Sequence, residues 1–365
     1  MLCLIIARGI YFLFHTDIPD ISMKKGGYEM KRKIISALLA MTMVLVLVGC
    51  NSKEETSSKT ENSAAKESSS TSVVTEWPQK TVNIICPFGA GGDSDFNARI
   101  FAENLTKKLG NTFIATNVTG NGGATAVEEA YSTQPDGYTI LFAQDAIHVS
   151  QVIDATDYGL KDFELSCIIG KNAGNVICVS KDSKYKTLDD LVEASKTDNV
   201  TLASNVGATT HVMGAMLNKA GANFNLVDMG GSADRIPAVM GGQVDAIPNP
   251  IASVAQYLES GQLRALAILE DERNETFPDI PTAKELGYDA SFPYYYQFAF
   301  PKGTDKEIVE KLADTCEEIA DMEEVQTALF ENYGQRPFFA KGEDAEKISS
   351  EQLKTVESLK DMLME

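Results

Sequence analysis

From residue 77 onward, short runs rich in β-branched and aromatic residues alternate with amphipathic stretches. The strand-like runs are TVNIICPF, GYTILFA, NVICVS, NVTLAS, FNLVDM, VDAIPN, LRALAIL and YYYQFAF. Between the first two, in residues 94–109, five apolar residues share one helical face: Phe96, Ile100, Phe101, Leu105 and Leu109. Further helices are predicted over residues 188–196, 210–220, 253–259, 306–321 and 344–363. This alternation predicts an α/β protein with mostly parallel sheets.

The segment after Pro301 is predicted to be helical and acidic, with no strand of its own. Such a tail must pack on sheets built earlier in the chain, so we expect a discontinuous first domain. The crossing points are predicted near Gly174 and Tyr296. Lobe 1 then comprises residues 77–174 plus 297–365, and lobe 2 comprises residues 175–296.

Residues 1–49 are predicted to be an upstream extension followed by a lipoprotein signal peptide. The segment KRKIISALLAMTMVLVLVGC has a cationic start, an apolar run of secretory length and a final Leu-Val-Gly-Cys. In a bacterial lipoprotein box this cysteine, Cys50, carries the acyl chains. A signal cut elsewhere, with a chance cysteine, is the alternative. The purine-rich codons implied by Lys-Lys-Gly-Gly favour a start at Met30.

Residues 50–76 are predicted to be the lipidated cysteine and a disordered linker. The stretch from Asn51 to Thr75 is rich in serine and charge and lacks leucine, isoleucine and aromatic residues. Such a segment buries too little apolar surface to order itself. We therefore expect a flexible tether that holds a folded body on the outer face of a membrane through two or more acyl chains, palmitate among them.

The net charge of −20 argues against nucleic acid as a partner, because an acidic body repels phosphate backbones. Three histidines and cysteines without metal-ligand spacing predict no metal site. Cys86, Cys167 and Cys178 lie in strand-like runs and are expected to be small core residues. A disulfide is possible outside the cytoplasm, and the sequence does not assign one.

Residues 87–95, PFGAGGDSD, form a glycine-rich turn between a predicted strand and a predicted helix. The N–H groups of such a turn and of the first helical turn can bind an anion without a basic side chain. A tight strand-to-helix turn with no ligand is the plainer interpretation. Ser94 stands where a dinucleotide fingerprint needs glycine, so no nucleotide cofactor is expected. Asp95 is expected to hold the amides of its own loop.

Two further strand-to-helix turns follow, NVTGNGGATA at residues 117–126 and SNVGATTH at residues 204–211. His211 could be a catalytic base, but no nucleophile with an orienting partner is evident, which favours a hydrogen-bonding histidine at a helix start. His148 is expected to be part of a loop. The YYYQF run is expected to be a buried strand whose tyrosines could line a cleft.

The order of these motifs resembles one known family. WPQKTVNIICPFGAGGDSDFNARI is followed by N-x-x-G-x-G-G, QPDGYTIL, GGQVDA, GQLRALAI and FPDIPTAKELG. From Trp77 to about Pro337 the chain resembles the Bug-type substrate-binding proteins of tripartite tricarboxylate transporters. This resemblance implies a two-lobed, periplasmic-binding-protein-like (type II) fold that closes over a small carboxylate.

The resemblance also implies a binding site formed by two loops that face each other across the cleft and hold one carboxylate. From the first loop it implies Phe88, Gly89, Ala90, Gly91, Gly92, Ser94 and Asp95. From the second it implies Ser204, Asn205, Gly207, Thr209, Thr210 and His211. The chain departs from the family pattern at Val118-Thr119, near Met229 and at Asn249, where the family often has an acid. These positions are expected near the distal end of the ligand, and Asn249 is included in the predicted site.

We therefore expect an extracytoplasmic, lipid-anchored receptor rather than an enzyme. It would be a monomer that captures a tricarboxylate, dicarboxylate or related acid by lobe closure and delivers it to membrane permease subunits. No cofactor is expected. Two alternatives stay open: a ligand sensor that feeds a signalling kinase, and a secreted two-domain α/β hydrolase or transferase that uses the same cleft.

Overall fold

The computed structural model describes residues 76–364. The predicted signal peptide, Cys50 and the tether up to residue 75 lie outside the described residues. The strands are β1 (Val82–Cys86), β2 (Phe113–Asn117), β3 (Thr139–Gln144), β4 (Phe163–Lys171), β5 (Asn175–Ser180), β6 (Thr201–Ser204), β7 (Asn225–Asp228), β8 (Ala246–Pro250), β9 (Leu263–Ile268), β10 (Tyr295–Pro301) and β11 (Ala340–Lys341).

The α-helices are α1 (Asp93–Leu109), α2 (Ala124–Tyr131), α3 (Ala146–Val152), α4 (Leu188–Ser195), α5 (Thr209–Lys219), α6 (Ser232–Met240), α7 (Ile251–Glu259), α8 (Lys306–Ala320), α9 (Glu323–Tyr333), α10 (Gly342–Glu357) and α11 (Lys360–Leu363). Short 3-10 turns lie at Asn121–Gly123 and Leu160–Asp162.

The strands form two sheets. The first sheet has six strands in the order β11-β4-β10-β3-β1-β2, and the second has five in the order β7-β6-β8-β5-β9. The chain passes from the first sheet to the second between Lys171 and Asn175 and returns between Ile268 and Tyr295. The first sheet is therefore built from two separate stretches of chain, and its interior strand β10 comes from the second stretch.

The prediction of mostly parallel sheets is wrong, because both sheets are mixed. β1 is parallel to β2 and β3, and β6 is parallel to β7 and β8. β10 is antiparallel to both β3 and β4, β11 is antiparallel to β4, and β5 is antiparallel to both β8 and β9. Every antiparallel pair includes one of the four strands next to the crossings, β4, β5, β9 or β10.

Most predicted helices are present with ends shifted by one or two residues. The predicted last helix is interrupted, since α10 ends at Glu357 and α11 begins at Lys360. The tail also contains β11, a two-residue strand that was not predicted. His148 lies inside α3 and is buried, so its placement in a loop is wrong.

The largest hydrophobic cluster runs through both sheets. It contains Ile84 and Phe298 of the first sheet, Ile177 and Leu202 of the second, and Leu363 of α11. Smaller clusters fill the opposite faces, one around Leu141 and α2 and the other around Ile247 and α7. The C-terminal helices therefore complete a core that the two sheets share.

Cys86, Cys167, Cys178 and Cys316 are buried free thiols, and the first three lie in strands as expected. Burial raises the pKa of the Cys86 thiol to about 12. Within residues 76–364, no helix is both long enough and apolar enough to cross a membrane.

Candidate ligand-binding site

The first predicted loop joins β1 to α1 and is held by Asp95. The backbone N–H of Gly91 donates to the Asp95 carboxylate at 2.9 Å, and the Asn117 amide and Arg99 guanidinium approach its other oxygen at 2.8 Å. Gly91 has φ of 81°, a conformation that glycine adopts without strain. Burial raises the pKa of Asp95, but hydrogen bonds from Arg99, Gly91 and Asn117 outweigh it, so the pKa lies below its usual range. The carboxylate supports the loop, as the sequence suggested.

The other predicted residues of this loop differ in their surroundings. Gly89, Ala90 and Gly91 form its exposed tip, while the Phe88 carbonyl accepts a hydrogen bond from Asn117 at 2.8 Å. Ser94 is fully buried, and its hydroxyl accepts from Gln144 at 3.2 Å. Its side chain therefore faces the protein interior.

The loop nevertheless keeps free donors. In the part of the chain that the structure describes, six backbone N–H groups of this loop have no protein acceptor: those of Gly89, Ala90, Gly92, Asp93, Ser94 and Asp95. The last four surround the N-terminus of the 17-residue helix α1, whose capping residue Gly92 offers no side chain. Unpaired N–H groups at a helix N-terminus favour an anion.

The second predicted loop uses most of its amides internally. Asn205 N–H donates to the Thr210 hydroxyl at 2.9 Å, and Gly207 N–H donates to His211 Nδ1 at 3.4 Å. The carbonyl of Asn205 also accepts from Ala208 N–H at 3.0 Å. This loop therefore offers hydroxyls and the start of α5 rather than a row of free amides. Among residues 76–364, the buried Ser204 hydroxyl has no hydrogen-bond partner, and Thr209 begins the helix.

His211 lies in the first turn of α5 and is largely buried, which lowers its pKa. Because its Nδ1 accepts from Gly207, the neutral ring carries its proton on Nε2 and can act as a donor there. The ring is engaged with its own loop, as expected of a histidine at a helix start.

Three glycine turns from both sheets meet at one place. A Cβ added to Gly122 would lie 2.4 Å from the carbonyl carbon of Gly207, so the backbones of the two turns are in direct contact. A Cβ added to Gly123 would contact Pro87 and Phe88 at 3.3 and 3.7 Å. The turn at residues 120–123, which was noted in the sequence but not assigned to the site, thus connects the two predicted loops.

A polar network lies beside the N-terminus of α1. The hydroxyls of Tyr294 and Tyr296 donate to the Asp93 carboxylate at 2.7 and 2.6 Å. Asn172, at the first crossing between the sheets, donates to the Tyr294 hydroxyl at 2.8 Å. Burial, and then the charge of Asp93, raises the pKa of both tyrosines well above the usual value. Tyr294, just before β10, and Tyr296, within it, therefore link the first loop to the crossing between the two sheets.

Asn249 lies at the end of β8 and is fully buried against Arg235. Its Oδ1 accepts from Arg235 Nε at 3.0 Å, and its Nδ2 donates to the Ser253 hydroxyl at 3.3 Å. Sequence reasoning missed Arg235. In SADRIPAVM it looks like a surface residue of a short segment that proline interrupts, and nothing in that pattern indicates burial.

A separate cavity of about 460 Å³ lies beside the crossings. Its walls include Lys171 and Glu270, whose charged atoms are 3.4 Å apart, and Arg336. Burial raises the pKa of Glu270 to about 7. None of the predicted site residues lines this cavity.

A family model described as the tripartite tricarboxylate transporter family receptor matches residues 97–363. A UPF0065 protein encoded in the gbd 5′ region of Cupriavidus necator is 30% identical over 76% of this chain and 86% of its own length.

Two solved structures share the fold. The periplasmic binding protein BugD is 26% identical, with a TM-score of 0.67 over 78% of this chain and 97% of its own. The R. palustris protein Rpa4515, solved with adipate, is 23% identical, with a TM-score of 0.72 over 79% of this chain and 98% of its own. The two-sheet architecture is therefore that of periplasmic binding proteins. Given the match over most of its length, the chain belongs to the receptor family of tripartite tricarboxylate transporters.

Proposed function

We propose that this receptor captures a small organic acid between the first loop (residues 87–95) and the second loop (residues 204–211). The observation that carries the proposal is the meeting of Gly122 and Gly207. It brings turns from the two sheets into contact beside the unpaired N–H groups that precede α1. A carboxylate that accepts from those N–H groups and from the Ser204 or Thr210 hydroxyl would touch both lobes. Such a ligand favours the closed state, because it makes all its contacts only there.

The cleft is proposed to bind its ligand without chemical change. Within residues 76–364, no group of three or more histidine, cysteine, aspartate or glutamate side chains could hold a metal ion. His211 Nδ1 accepts from Gly207, and among residues 76–364 the one serine of this loop, Ser204, has no hydrogen-bond partner and so is not bonded to the ring. The captured acid would be handed to the membrane permease subunits that define this transporter family.

The choice of ligand is tested by a thermal-shift screen of the purified receptor. Adipate is the first probe, since it is bound in the R. palustris structural neighbour, followed by malate, citrate, glutamate and benzoate. A ligand at about 100 times its Kd adds roughly 2.7 kcal/mol to the free energy of unfolding. We expect at least one acid to raise the Tm. A screen in which neutral sugars raise it and no acid does would contradict the proposal.

We also propose that acylated Cys50 anchors the receptor to the outer face of the membrane, on the strength of the signal and tether pattern in the sequence. Cys50→Ser should move the protein from the membrane fraction to the soluble fraction, or leave it as uncleaved precursor. Fractionation followed by intact-mass measurement distinguishes these results. A correctly cleaved Ser variant that stays on the membrane would refute the anchor.

A further inference from the structure

The guanidinium of Arg235 is almost completely buried, which is rare for an arginine. Its side chain, on α6, is 3% exposed. Nε donates to Asn249, one terminal nitrogen donates to the Gly230 carbonyl, and the other approaches the Ser232 hydroxyl at 3.4 Å. A guanidinium has five N–H donors, so two have no acceptor among residues 76–364.

This buried cation also has no ion-pair partner among the residues that the structure describes. No carboxylate among residues 76–364 lies within 4 Å of the guanidinium, and those of Asp93, Asp234 and Asp228 act on it only from a greater distance. Burial is the dominant influence and lowers the pKa of Arg235 to about 10, which leaves it charged at neutral pH. Buried charges are normally paired, because an uncompensated one is strongly unfavourable. An anion from outside the chain would supply the missing charge.

The position of Arg235 connects it to the proposed site. Its side chain belongs to the second sheet's half of the molecule, yet it senses the charge of Asp93, which begins α1 in the first half. Asp93 already accepts hydrogen bonds from two tyrosine hydroxyls, so its oxygens are engaged. Arg235 donates to the Gly230 carbonyl, and Met229 N–H, one residue earlier, donates to the Ser204 carbonyl at 2.9 Å. The guanidinium therefore lies beside the start of the second loop, within electrostatic range of the helix start that carries the free N–H groups.

Asn249 fixes the direction of the guanidinium. Both ends of its amide are used, one by Arg235 Nε and the other by Ser253. Because the amide is neutral, it orients the cation without compensating its charge. An aspartate at this position would both orient the guanidinium and compensate its charge, as in a structural ion pair.

We propose that Arg235 binds a second carboxylate of the ligand, so that the receptor takes dicarboxylates, and that Asn249 positions Arg235. The inference rests on the proposed function, in which the first carboxylate lies at the N–H groups before α1. The two carboxylates then contact opposite halves of the molecule, and both are desolvated on closure.

Isothermal titration with matched pairs of acids tests this role. Adipate is compared with hexanoate and succinate with butyrate, so that each pair differs by one carboxylate. The variants are Arg235→Gln and Asn249→Asp, and the control is Arg264→Gln. Arg264 lies on β9 and donates only to the carbonyls of Tyr185 and Lys181, away from the proposed site. Asn249→Asp keeps the arginine but gives it an internal counter-ion.

The wild type and Arg264→Gln should bind one diacid at least about 100-fold more tightly than its monoacid. In both Arg235→Gln and Asn249→Asp, the ratio of diacid to monoacid affinity should fall at least about tenfold, while the affinity for the monoacid changes little. If Arg235 only supports the fold, diacid and monoacid affinities fall together and the preference survives, which overturns the inference but not the proposed function. Equal binding of both acids by the wild type also overturns it. If no acid of either kind binds, the proposed function itself fails and this role fails with it.

Discussion

Asp145 is a buried carboxylate whose ionisation is expected to change the stability of this protein. It is fully buried before α3 and accepts from Gln352 Nε2, Tyr295 N–H and Gln297 Nε2 at 2.8, 2.9 and 2.8 Å. Burial raises its pKa to about 7, although these three donors oppose the shift. His148, 3.8 Å away, has its pKa lowered by burial to about 4, so it is neutral near pH 7.

A raised pKa for Asp145 predicts a specific pH dependence. Because the folded state holds the Asp145 proton more tightly than the unfolded chain, this group favours folding at low pH and loses that contribution as pH rises towards 7. Between pH 5 and 8 the wild type should lose on the order of 2 kcal/mol relative to Asp145→Asn. Urea unfolding of both proteins at the two pH values measures the difference. Parallel pH profiles would contradict it.

For single residues, the sequence predicted only those roles that depend on partners close by in the chain. The role of Asp95 could be predicted because its partner Gly91 is four residues away. Arg235 could not, because its burial arises only when β8, α6 and the first turn of α1 come together. The loop at 204–211 was expected to hold a carboxylate, but the side chains of Thr210 and His211 accept from the N–H groups of Asn205 and Gly207, which the sequence pattern did not reveal.

Among the elements, the strand-like runs were predicted correctly, whereas β11 and the helices α3, α6 and α9 were not predicted. Eight strand-like runs all became strands, since alternating β-branched residues suit a pleated and buried surface. Helix α6 was missed because Pro237 lies inside it and glycines flank both ends. Strand direction was mispredicted because it depends on where the chain crosses between sheets, which the pattern along one strand does not record.

The N-terminus of α4 offers a test confined to one element. The Thr187 hydroxyl accepts from Asp190 N–H at 3.1 Å, and Asp190 accepts from Thr187 N–H at 3.1 Å, forming a capping box. Thr187→Ala should cost about 1 kcal/mol of unfolding free energy, because one N–H of the first turn loses its acceptor. Thr197→Ala, beyond the other end of the helix, is the control. Equal losses in the two variants would argue against a capping effect, and acid affinity should not change in either.

The turn that contains Gly122 tests closure. Gly122→Ala places a methyl group where the Gly207 backbone now lies, so the two loops cannot approach as closely. Affinity for whichever acid binds should fall at least about tenfold. Gly242→Ala is a matched control, since Gly242 has φ of 69° against 64° for Gly122 and open space around its Cα. Both variants pay similar backbone strain, of about 1–2 kcal/mol. Equal affinities in the two variants would show that the Gly122–Gly207 contact is not needed for binding.

For the whole molecule, the shared core predicts how the receptor unfolds. The largest hydrophobic cluster includes residues of both sheets and of α11. The two halves should therefore unfold together, in spite of the two sheets. Calorimetry of the ligand-free protein should show one transition with a calorimetric enthalpy close to the van't Hoff enthalpy. Two separated transitions would mean that each half is stable without the other.

The four buried thiols have a practical consequence for measuring lobe closure. Thiolates, not thiols, react with maleimide dyes, and burial raises the pKa of Cys86, Cys178 and Cys316 while shielding all four sulfurs. In a chain that begins after Cys50, cysteines introduced at exposed positions such as Glu103 on α1 and Lys219 on α5 would be the fast-reacting sites. Donor and acceptor dyes could then be attached without removing any native cysteine. Single-molecule energy transfer would report the distance between the two halves in the native core, with and without an acid.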